Sequence, residues 1–216
     1  ERRDYALATL AIHAGQSPDP STGAVMPPIY ATSTYAQSSP GEHQGFEYSR
    51  THNPTRFAYE RCVAGLEGGT RGFAFASGMA AIATTILAHA RPGQVILHSQ
   101  PLYGGTETLL ARTLAEYGIL AEGFSQGTDA GAIRAAADRA MARGPVAMIL
   151  AETPSNPLNT LVDLALLRAE AERVGAAQGG KRPLLVCDNT LLGPVFQTPL
   201  AQGADISVYS LTKYVG

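Results

Sequence analysis

The stretch Pro183-Leu-Leu-Val-Cys-Asp-Asn-Thr190 decides the expected fold of this 216-residue chain. Its run from Pro183 to Cys187 is apolar without alternation, which is typical of a strand that is covered on both faces, as in parallel sheets. Asp188 follows directly. A carboxylate at the end of a buried strand needs a partner such as a cation or a protonated nitrogen, unless it only caps a turn. The stretch therefore predicts a buried parallel sheet with a polar group at its carboxyl edge.

The predicted strand belongs to a regular succession of helices and strands that extends along the chain in both directions. From Thr55 onward, short apolar segments alternate with segments of helical spacing, and Gly or Pro residues separate them. This pattern predicts an α/β fold with a mostly parallel sheet. The expected helices span residues 55–66, 78–90, 105–117, 129–143 and 163–178, and the expected strands span residues 72–76, 94–98, 119–124, 146–151, 183–187 and 206–210.

The first 54 residues have a different character. The segment 14–54 is rich in Pro, Ser, Thr and Gly and has no sustained period, so it contains many turn formers and few helix formers. Residues such as Ile29, Tyr35 and Phe46 make it too apolar and aromatic for simple disorder. We expect residues 1–54 to form an extended arm packed against something else, such as a neighbouring subunit, and residues 55–216 to form a second domain.

Composition narrows the class of protein. Apolar residues make up 45% and charged residues 16% of the chain, which excludes a disordered chain, and the net charge of −2 favours neither nucleic acid nor an acidic membrane surface. Cys62 and Cys187 each lie in an apolar run, which indicates buried thiols in a reducing compartment. No signal peptide and no apolar run of the roughly 18 residues needed to cross a bilayer is present. A soluble cytoplasmic protein is expected.

Three other kinds of site are disfavoured by the sequence. The Gly-x-Gly-x-x-Gly pattern of nicotinamide-binding enzymes is missing after the first strand. The spacing of Gly175 to Lys181 imitates a P-loop, but Arg182 replaces the required Ser or Thr and a strand follows instead of a helix. No His-Glu-x-x-His or paired Cys-x-x-Cys pattern indicates a metal site.

Chemically active residues follow most of the predicted strands, and ligands of parallel sheets lie at these carboxyl ends. Each residue alone also fits a structural role, as a helix cap, a packing ring, a stiff turn or a solvated lysine. Together they offer an anion-binding helix start, an aromatic ring, a buried carboxylate and a lysine, which is the set that pyridoxal 5′-phosphate (PLP) needs. The segments are Ser77-Gly78-Met79, Tyr103-Gly-Gly105, Glu152-Thr-Pro-Ser-Asn156, Asp188-Asn-Thr190 and Ser210-Leu-Thr212-Lys213.

The order and spacing of these segments resemble the PLP enzymes of cysteine and methionine metabolism, a group with the fold-type-I PLP architecture. This group includes cystathionine γ-lyase, cystathionine γ-synthase, methionine γ-lyase and the O-acylhomoserine sulfhydrylases. The resemblance extends from about Ile12 to the last residue. Six motifs carry it, namely Tyr48-Ser-Arg-Thr-His-Asn-Pro-Thr55, Ser77-Gly-Met-Ala-Ala81, Leu102-Tyr-Gly-Gly-Thr106, Glu152-Thr-Pro-Ser-Asn-Pro157, Asp188-Asn-Thr190 and Ser210-Leu-Thr-Lys-Tyr214.

The resemblance implies roles for the matched residues. Lys213 would hold the cofactor as an imine and later move the α-proton of the substrate, and Tyr103 would stack on the ring and assist proton transfer to the leaving group. Asp188 would pair with the pyridine nitrogen, and Asn156 would hydrogen-bond the ring hydroxyl. The other candidate cofactor-binding residues are Gly78, Met79, Ser210 and Thr212 at the phosphate, Tyr48 and Arg50 reaching the phosphate of a neighbouring subunit, and Ser77, Glu152 and Thr190.

The activity that the resemblance implies is that of a carbon–sulfur lyase of the trans-sulfuration type. It would act by γ-elimination on cystathionine or a related sulfur amino acid, giving 2-oxobutanoate, ammonia and a thiol, in a homodimer or homotetramer with shared active sites. Methionine γ-lyase and γ-replacement on an O-acylhomoserine remain alternatives, although Gly105 stands where methionine γ-lyases usually carry cysteine. A truncated, non-catalytic scaffold is a further alternative, because a C-terminal domain with the arginine for the substrate carboxylate is absent from these residues.

Overall fold

The computed structural model describes residues 5–125, 127–213 and 215 of the chain. The chain divides into two compact units, Glu1–Ala74 and Phe75–Gly216. The helix Pro54–Glu67 therefore belongs to the first unit, whereas the sequence predicts it in the second domain, with the border after residue 54. The expected contact of the arm with a neighbouring subunit stays a prediction.

The first unit contains two helices, α1 (Leu7–His13) and α2 (Pro54–Glu67). Helix α2 matches the sequence prediction because the signals at its ends are strong. The Asn53 side chain accepts hydrogen bonds from the first turn, Pro54 occupies the first helical position, and Gly68 ends the helix with φ of 67°. Helix α1 was not expected. Between the helices the backbone forms turns and isolated bridges, such as that between Thr34 and Tyr48.

The strand predicted over residues 72–76 is wrong. A strand needs a hydrogen-bonded neighbour, and none of the described strands pairs with this segment. The amide of Ala74 instead donates to Glu60 Oε1 at 2.9 Å. Phe73 and Phe75 are 66% and 42% exposed, so the aromatic residues that favoured a buried strand lie at the surface.

The second unit is built on a parallel sheet. Within the described residues the sheet has five strands in the order β2-β1-β3-β4-β5, and every neighbouring pair is parallel. Apart from the missing strand, the α/β fold class with a parallel sheet is confirmed. The strands are β1 (Val95–Ser99), β2 (Leu120–Phe124), β3 (Val146–Glu152), β4 (Leu184–Asp188) and β5 (Ile206–Val208).

Helices cover the sheet on both faces. Alternate strand residues point to opposite faces. Val95 and Leu97 pack in one core cluster with the helices that follow β2 and β3. Ile96 packs in the other cluster with the helix before β1 and the helices after it. All three residues are completely buried. Burial on both faces explains why the strands are continuously apolar. The helices are α3 (Gly78–His89), α4 (Gly104–Thr108), α5 (Leu114–Glu116), α6 (Ala130–Arg143), α7 (Leu164–Ala177) and α8 (Gly193–Phe196).

The helix predicted over residues 105–117 is interrupted. A π-helical segment, Leu109–Thr113, separates α4 from α5. Such a segment inserts an extra residue into the turn, and neither Gly nor Pro lies within it to mark it in the sequence. The short helix α8 was also not expected. Among the helices of the described residues, none combines the length and the apolar character that crossing a membrane requires.

Candidate active site

The topology of the second unit places its switch point at the carboxyl ends of β1 and β3, and we call the space beyond these ends the crevice. From β1 the chain moves to β2 on one side, and it then returns to β3 on the other side of β1. At such a switch point the connections diverge and leave room for a ligand. Tyr103 follows β1, Glu152 ends β3 and Asp188 ends β4. The sheet therefore brings the predicted residues to one edge.

The start of helix α3 has two unused amides at this edge. Ser77 Oγ accepts a hydrogen bond from the amide of Ala80 at 3.1 Å, and the Ser77 carbonyl accepts one from Ala81. The amides of Gly78 and Met79 have no acceptor among the described residues. Unpaired amides at the positive end of a helix are suited to an anion such as a phosphate.

Ser210 lies directly against this helix start. A Cβ atom added to Gly78 would lie 2.6 Å from Ser210 Cβ, so only glycine permits the close approach. Lys213 belongs to the same turn, because its amide donates to the Ser210 carbonyl at 3.2 Å and its Nζ to Ser210 Oγ at 3.4 Å. Thr212 and Lys213 are exposed, and Tyr214, the last residue of the matched motif, lies outside the described residues.

Asp188 is 8% exposed, and one of its two carboxylate oxygens accepts hydrogen bonds from the described residues. Its Oδ1 accepts from the amide of Thr190 at 3.1 Å and from Thr190 Oγ1 at 2.5 Å, whereas Oδ2 has no donor within the part of the chain that the structure describes. Thr190 Oγ1 in turn accepts from the amide of Ser210 at 2.9 Å. Burial raises the pKa of Asp188 above its ordinary value, although the Thr190 hydrogen bonds and the charge of Lys213 act in the opposite direction.

Tyr103 presents its ring toward Lys213. Tyr103 is 44% exposed, and Lys213 Nζ lies 6.0 Å from the centroid of its ring. On the other side, a Cβ atom added to Gly105 would lie 2.7 Å from Tyr103 Cε1 and 3.1 Å from Met79 Sδ. The ring therefore occupies the space that a side chain at position 105 would need.

Glu152 and Asn156 complete the predicted residues of the second unit. Glu152 is 5% exposed, and its two oxygens accept from the amides of Tyr103 and Asn156. Burial raises the pKa of Glu152, and these two hydrogen bonds oppose that effect. The Asn156 side chain is exposed. Ser99, which the sequence did not single out, accepts from the amide of Glu152 at 3.1 Å and joins β1 to β3. Its only signal was a hydroxyl at the end of a buried strand.

Tyr48 and Arg50 lie in the first unit. The Arg50 guanidinium stands 4.9 Å from the centroid of the Tyr48 ring, which is a cation–π distance. The pair therefore presents an aromatic ring and a positive charge together. Its proposed contact with the phosphate of a neighbouring subunit stays a prediction.

The groups of the second unit fit PLP. The two unpaired amides of α3 and the hydroxyls of the Ser210 turn suit its phosphate, and the free Oδ2 of the buried Asp188 suits a protonated ring nitrogen. Lys213 supplies the amine. Fold and site together define an α/β protein of the PLP-dependent class.

Comparison with known proteins narrows this class to one family. Residues 8–216 match the sequence model of the family described as Cys/Met metabolism PLP-dependent enzyme, and the chain belongs to this family, whose cofactor is PLP. It is 48% identical over 209 residues to the cystathionine beta-lyase of Coxiella burnetii, and the aligned region covers 97% of this chain and 51% of that protein. It is 43% identical to the cystathionine gamma-lyase of Bacillus subtilis, with 96% and 51% covered.

A solved structure agrees with the fold. The crystal structure of metB from Corynebacterium glutamicum superposes with a TM-score of 0.88 at 34% sequence identity, covering 100% of this chain and 53% of that one. The chain thus spans about half the length of the relatives that it matches.

Proposed function

We propose that the protein containing this chain is a carbon–sulfur lyase that cleaves the γ-carbon–sulfur bond of cystathionine. Cystathionine and water would give cysteine, 2-oxobutanoate and ammonia. The observation that carries the proposal is the placement of Lys213 at the Ser210 turn, 6.0 Å from the Tyr103 ring centroid and close enough to Asp188 for their charges to interact. An amine, a phenol and a buried acid then face one crevice.

Seven residues of the second unit would hold the cofactor besides Lys213. The amides of Gly78 and Met79 and the hydroxyls of Ser210 and Thr212 would bind the phosphate. When bound, PLP supplies an electron sink for the charge that is left on a substrate carbon after its proton is removed. The ring contacts would come from Asp188 Oδ2 at the nitrogen, the Asn156 amide at the hydroxyl and the Tyr103 ring as a stacking surface, while Ser77 and Thr190 orient their neighbours.

Lys213 and Tyr103 would move the protons. The Lys213 side chain is exposed, and its one hydrogen bond to the described residues is a long one to Ser210 Oγ, so its amine is free to swing between neighbouring substrate carbons. The Tyr103 hydroxyl would donate a proton to the departing sulfur, since a thiol is a much better leaving group than a thiolate.

Cleavage at the β-carbon is a second candidate, because a cystathionine beta-lyase is 48% identical to the chain. That reaction would release homocysteine, pyruvate and ammonia. Methionine γ-elimination and γ-replacement on an O-acylhomoserine are weaker candidates. For the former, this chain has Gly105 where methionine γ-lyases usually carry cysteine. The Tyr103 ring occupies the space that the cysteine side chain would need.

Product analysis of the full-length protein tests the proposal. With cystathionine we expect 2-oxobutanoate and cysteine, whereas pyruvate and homocysteine would indicate β-cleavage. Methionine alone, and O-acylhomoserine with cysteine, test the other reactions. A protein without turnover and without the visible band of lysine-bound cofactor would support the scaffold alternative and contradict the proposal.

The two lysines of the chain offer a matched pair of variants. Lys213→Ala should abolish every activity, and borohydride should no longer attach the cofactor covalently to the peptide around position 213. Lys181→Ala removes the other lysine, which lies in the loop before β4, and should leave turnover unchanged. Turnover retained in Lys213→Ala would show that the amine is wrongly assigned. A homodimer or homotetramer in the cytoplasm is part of the same proposal.

A further inference from the structure

The Glu152 carboxylate connects the two loops that border the crevice. Its Oε2 accepts from the amide of Tyr103 at 2.6 Å, and its Oε1 accepts from the amide of Asn156 at 2.7 Å. Tyr103 follows β1, and Asn156 belongs to the loop after β3. The carboxylate is 5% exposed, so water does not replace either bond easily. One side chain thus fixes the backbone of both neighbouring residues.

The position of Glu152 within the sheet is itself fixed. It ends β3, the strand between β1 and β4, and it stands opposite Asp188 in the parallel register. Its own amide donates to Ser99 Oγ at 3.1 Å, which ties it to the end of β1. The carboxylate therefore has little freedom to turn toward a ligand in the crevice.

We infer that Glu152 is a positioning residue that sets the separation between the Tyr103 ring and the Asn156 amide, and that it does not contact the cofactor. Each oxygen already accepts a hydrogen bond from a backbone amide, so turning the carboxylate toward a ligand would break a bond that holds one of the two loops. A buried carboxylate is costly unless it is well hydrogen-bonded, and here the two amides offset that cost. The inference rests on the proposed cofactor contacts of Tyr103 and Asn156.

Replacement by glutamine separates this role from a general one. Glutamine has the shape of glutamate but only one acceptor oxygen, so in Glu152→Gln its NH2 group would face one of the two amide donors. Glu107 provides the matched control. It lies in the same connection after β1 and accepts a single backbone amide, that of Leu102, at 3.0 Å. One acceptor oxygen is sufficient there, so Glu107→Gln can keep its hydrogen bond.

The test compares the two variants in the full-length protein by titration with PLP. We expect Glu152→Gln to weaken cofactor binding by at least about tenfold and Glu107→Gln to change it by less than about twofold. At saturating cofactor, the visible circular dichroism per bound cofactor should fall in Glu152→Gln, because the ring is no longer held in one orientation. A purely structural role would lower the melting temperature of the apoprotein without changing that signal.

Hydrogen exchange in the apoprotein supplies a measurement that does not depend on the cofactor, and its wild-type part needs no variant. The amides of Tyr103 and Asn156 should exchange slowly in the wild-type protein, and both should exchange faster in Glu152→Gln. Fast exchange of either amide in the wild type would overturn the inference, as would equal affinity and dichroism in the two variants. A wild-type protein that binds no PLP would instead overturn the proposed function, while slow exchange would still support the bridge.

Discussion

Asp188 illustrates how one residue can be costly to the empty protein and useful to the loaded one. Its carboxylate is buried and receives two hydrogen bonds on Oδ1 from Thr190. Oδ2 has no donor among the described residues, and burial raises the pKa of the carboxyl group. A protonated ring nitrogen would supply both the missing hydrogen bond and the missing charge. The cost of Asp188 to the apoprotein should therefore be visible in its pH dependence.

We predict that Asp188→Asn stabilises the apoprotein at neutral pH. The folded pKa of Asp188 lies above the unfolded value of about 4, so between the two the folded state binds more protons and the free energy of unfolding decreases as the pH rises. Asparagine does not titrate. The difference in unfolding free energy between variant and wild type, measured by denaturant titration, should thus grow from about pH 4 upward and level off above the folded pKa.

Asp205→Asn is the control with the opposite sign. Burial works to raise the pKa of Asp205, but hydrogen bonds from Arg182 and the Leu185 amide outweigh it and hold the pKa below the usual value. This carboxylate contributes stability that is present at neutral pH and is lost as the pH falls through the folded pKa. Asp205→Asn should therefore destabilise at neutral pH and less so in acid. If the effects of the two substitutions on the unfolding free energy changed with pH in the same direction, the pKa directions of Asp188 and Asp205 would be wrongly assigned.

The sequence predicts which residues meet at the crevice, but it does not predict how the loops that carry them are held. Asp188 ends a strand, and Tyr103, Ser210 and Lys213 follow strands. Parallel strands bring their carboxyl ends to one edge, so the meeting of these residues depends on topology alone. The bridge made by Glu152 depends on the positions of two backbone amides in loops. No residue pattern encodes those positions, so the sequence predicts Glu152 as a site residue but not the bridge that it makes.

At the scale of elements, the edge strand β2 is protected by helix α6. Among the described strands β2 pairs only with β1, so the carbonyls of Ala121 and Gly123 face away from the sheet. Arg143 donates to the former at 2.6 Å and Arg139 to the latter at 3.3 Å. Both arginines also pair with Glu122, at 2.9 and 2.7 Å. The edge therefore offers fewer free acceptors to another strand.

We predict that replacing both Arg139 and Arg143 by glutamine promotes association through β2. Glu122, whose side chain is 17% exposed, would lose both charged partners, and the unfolding free energy should fall by about 1–3 kcal/mol. Light scattering at increasing protein concentration should reveal larger particles than in the wild type. Arg134→Gln changes the same helix at a residue that makes only a 4.0 Å contact with Glu170, and it should behave as wild type. Equal scattering by the double variant and the wild type would refute the protective role of Arg139 and Arg143.

Elements were predictable where end signals and two-sided burial agree. Helix α2 has an Asn cap, a first-turn proline and a terminal glycine, and β4 is apolar from Leu184 to Cys187, so the sequence predicts both. The segment 72–76 shares the apolar composition of a strand but lacks a described neighbour to pair with, and composition does not reveal that. The π-helical segment within the 105–117 helix was missed because one inserted residue leaves no distinctive side chain behind.

At the scale of the whole molecule, the chain supplies parts of a site that we expect to be shared between subunits. Lys213 lies in the second unit, whereas Tyr48 and Arg50 lie in the first, where the guanidinium rests 4.9 Å from the ring centroid. Arginine is suited to phosphate because its donors form a planar fork. If Arg50 serves the phosphate of a neighbouring subunit, each complete site needs two chains. That arrangement can be tested by mixing subunits that are defective in different parts.

We predict that Lys213→Ala and Arg50→Ala subunits restore activity when they are mixed. Each variant alone should be nearly inactive in full-length form. After unfolding and refolding together in equal amounts, half of the dimers should be mixed, and each mixed dimer should hold one site with both defects and one intact site. Activity should therefore reach about a quarter of that of the wild type. If both residues served the same subunit's site, the mixed dimers would contain no intact site and the mixture would stay inactive. Full activity of Arg50→Ala alone would remove the phosphate role altogether.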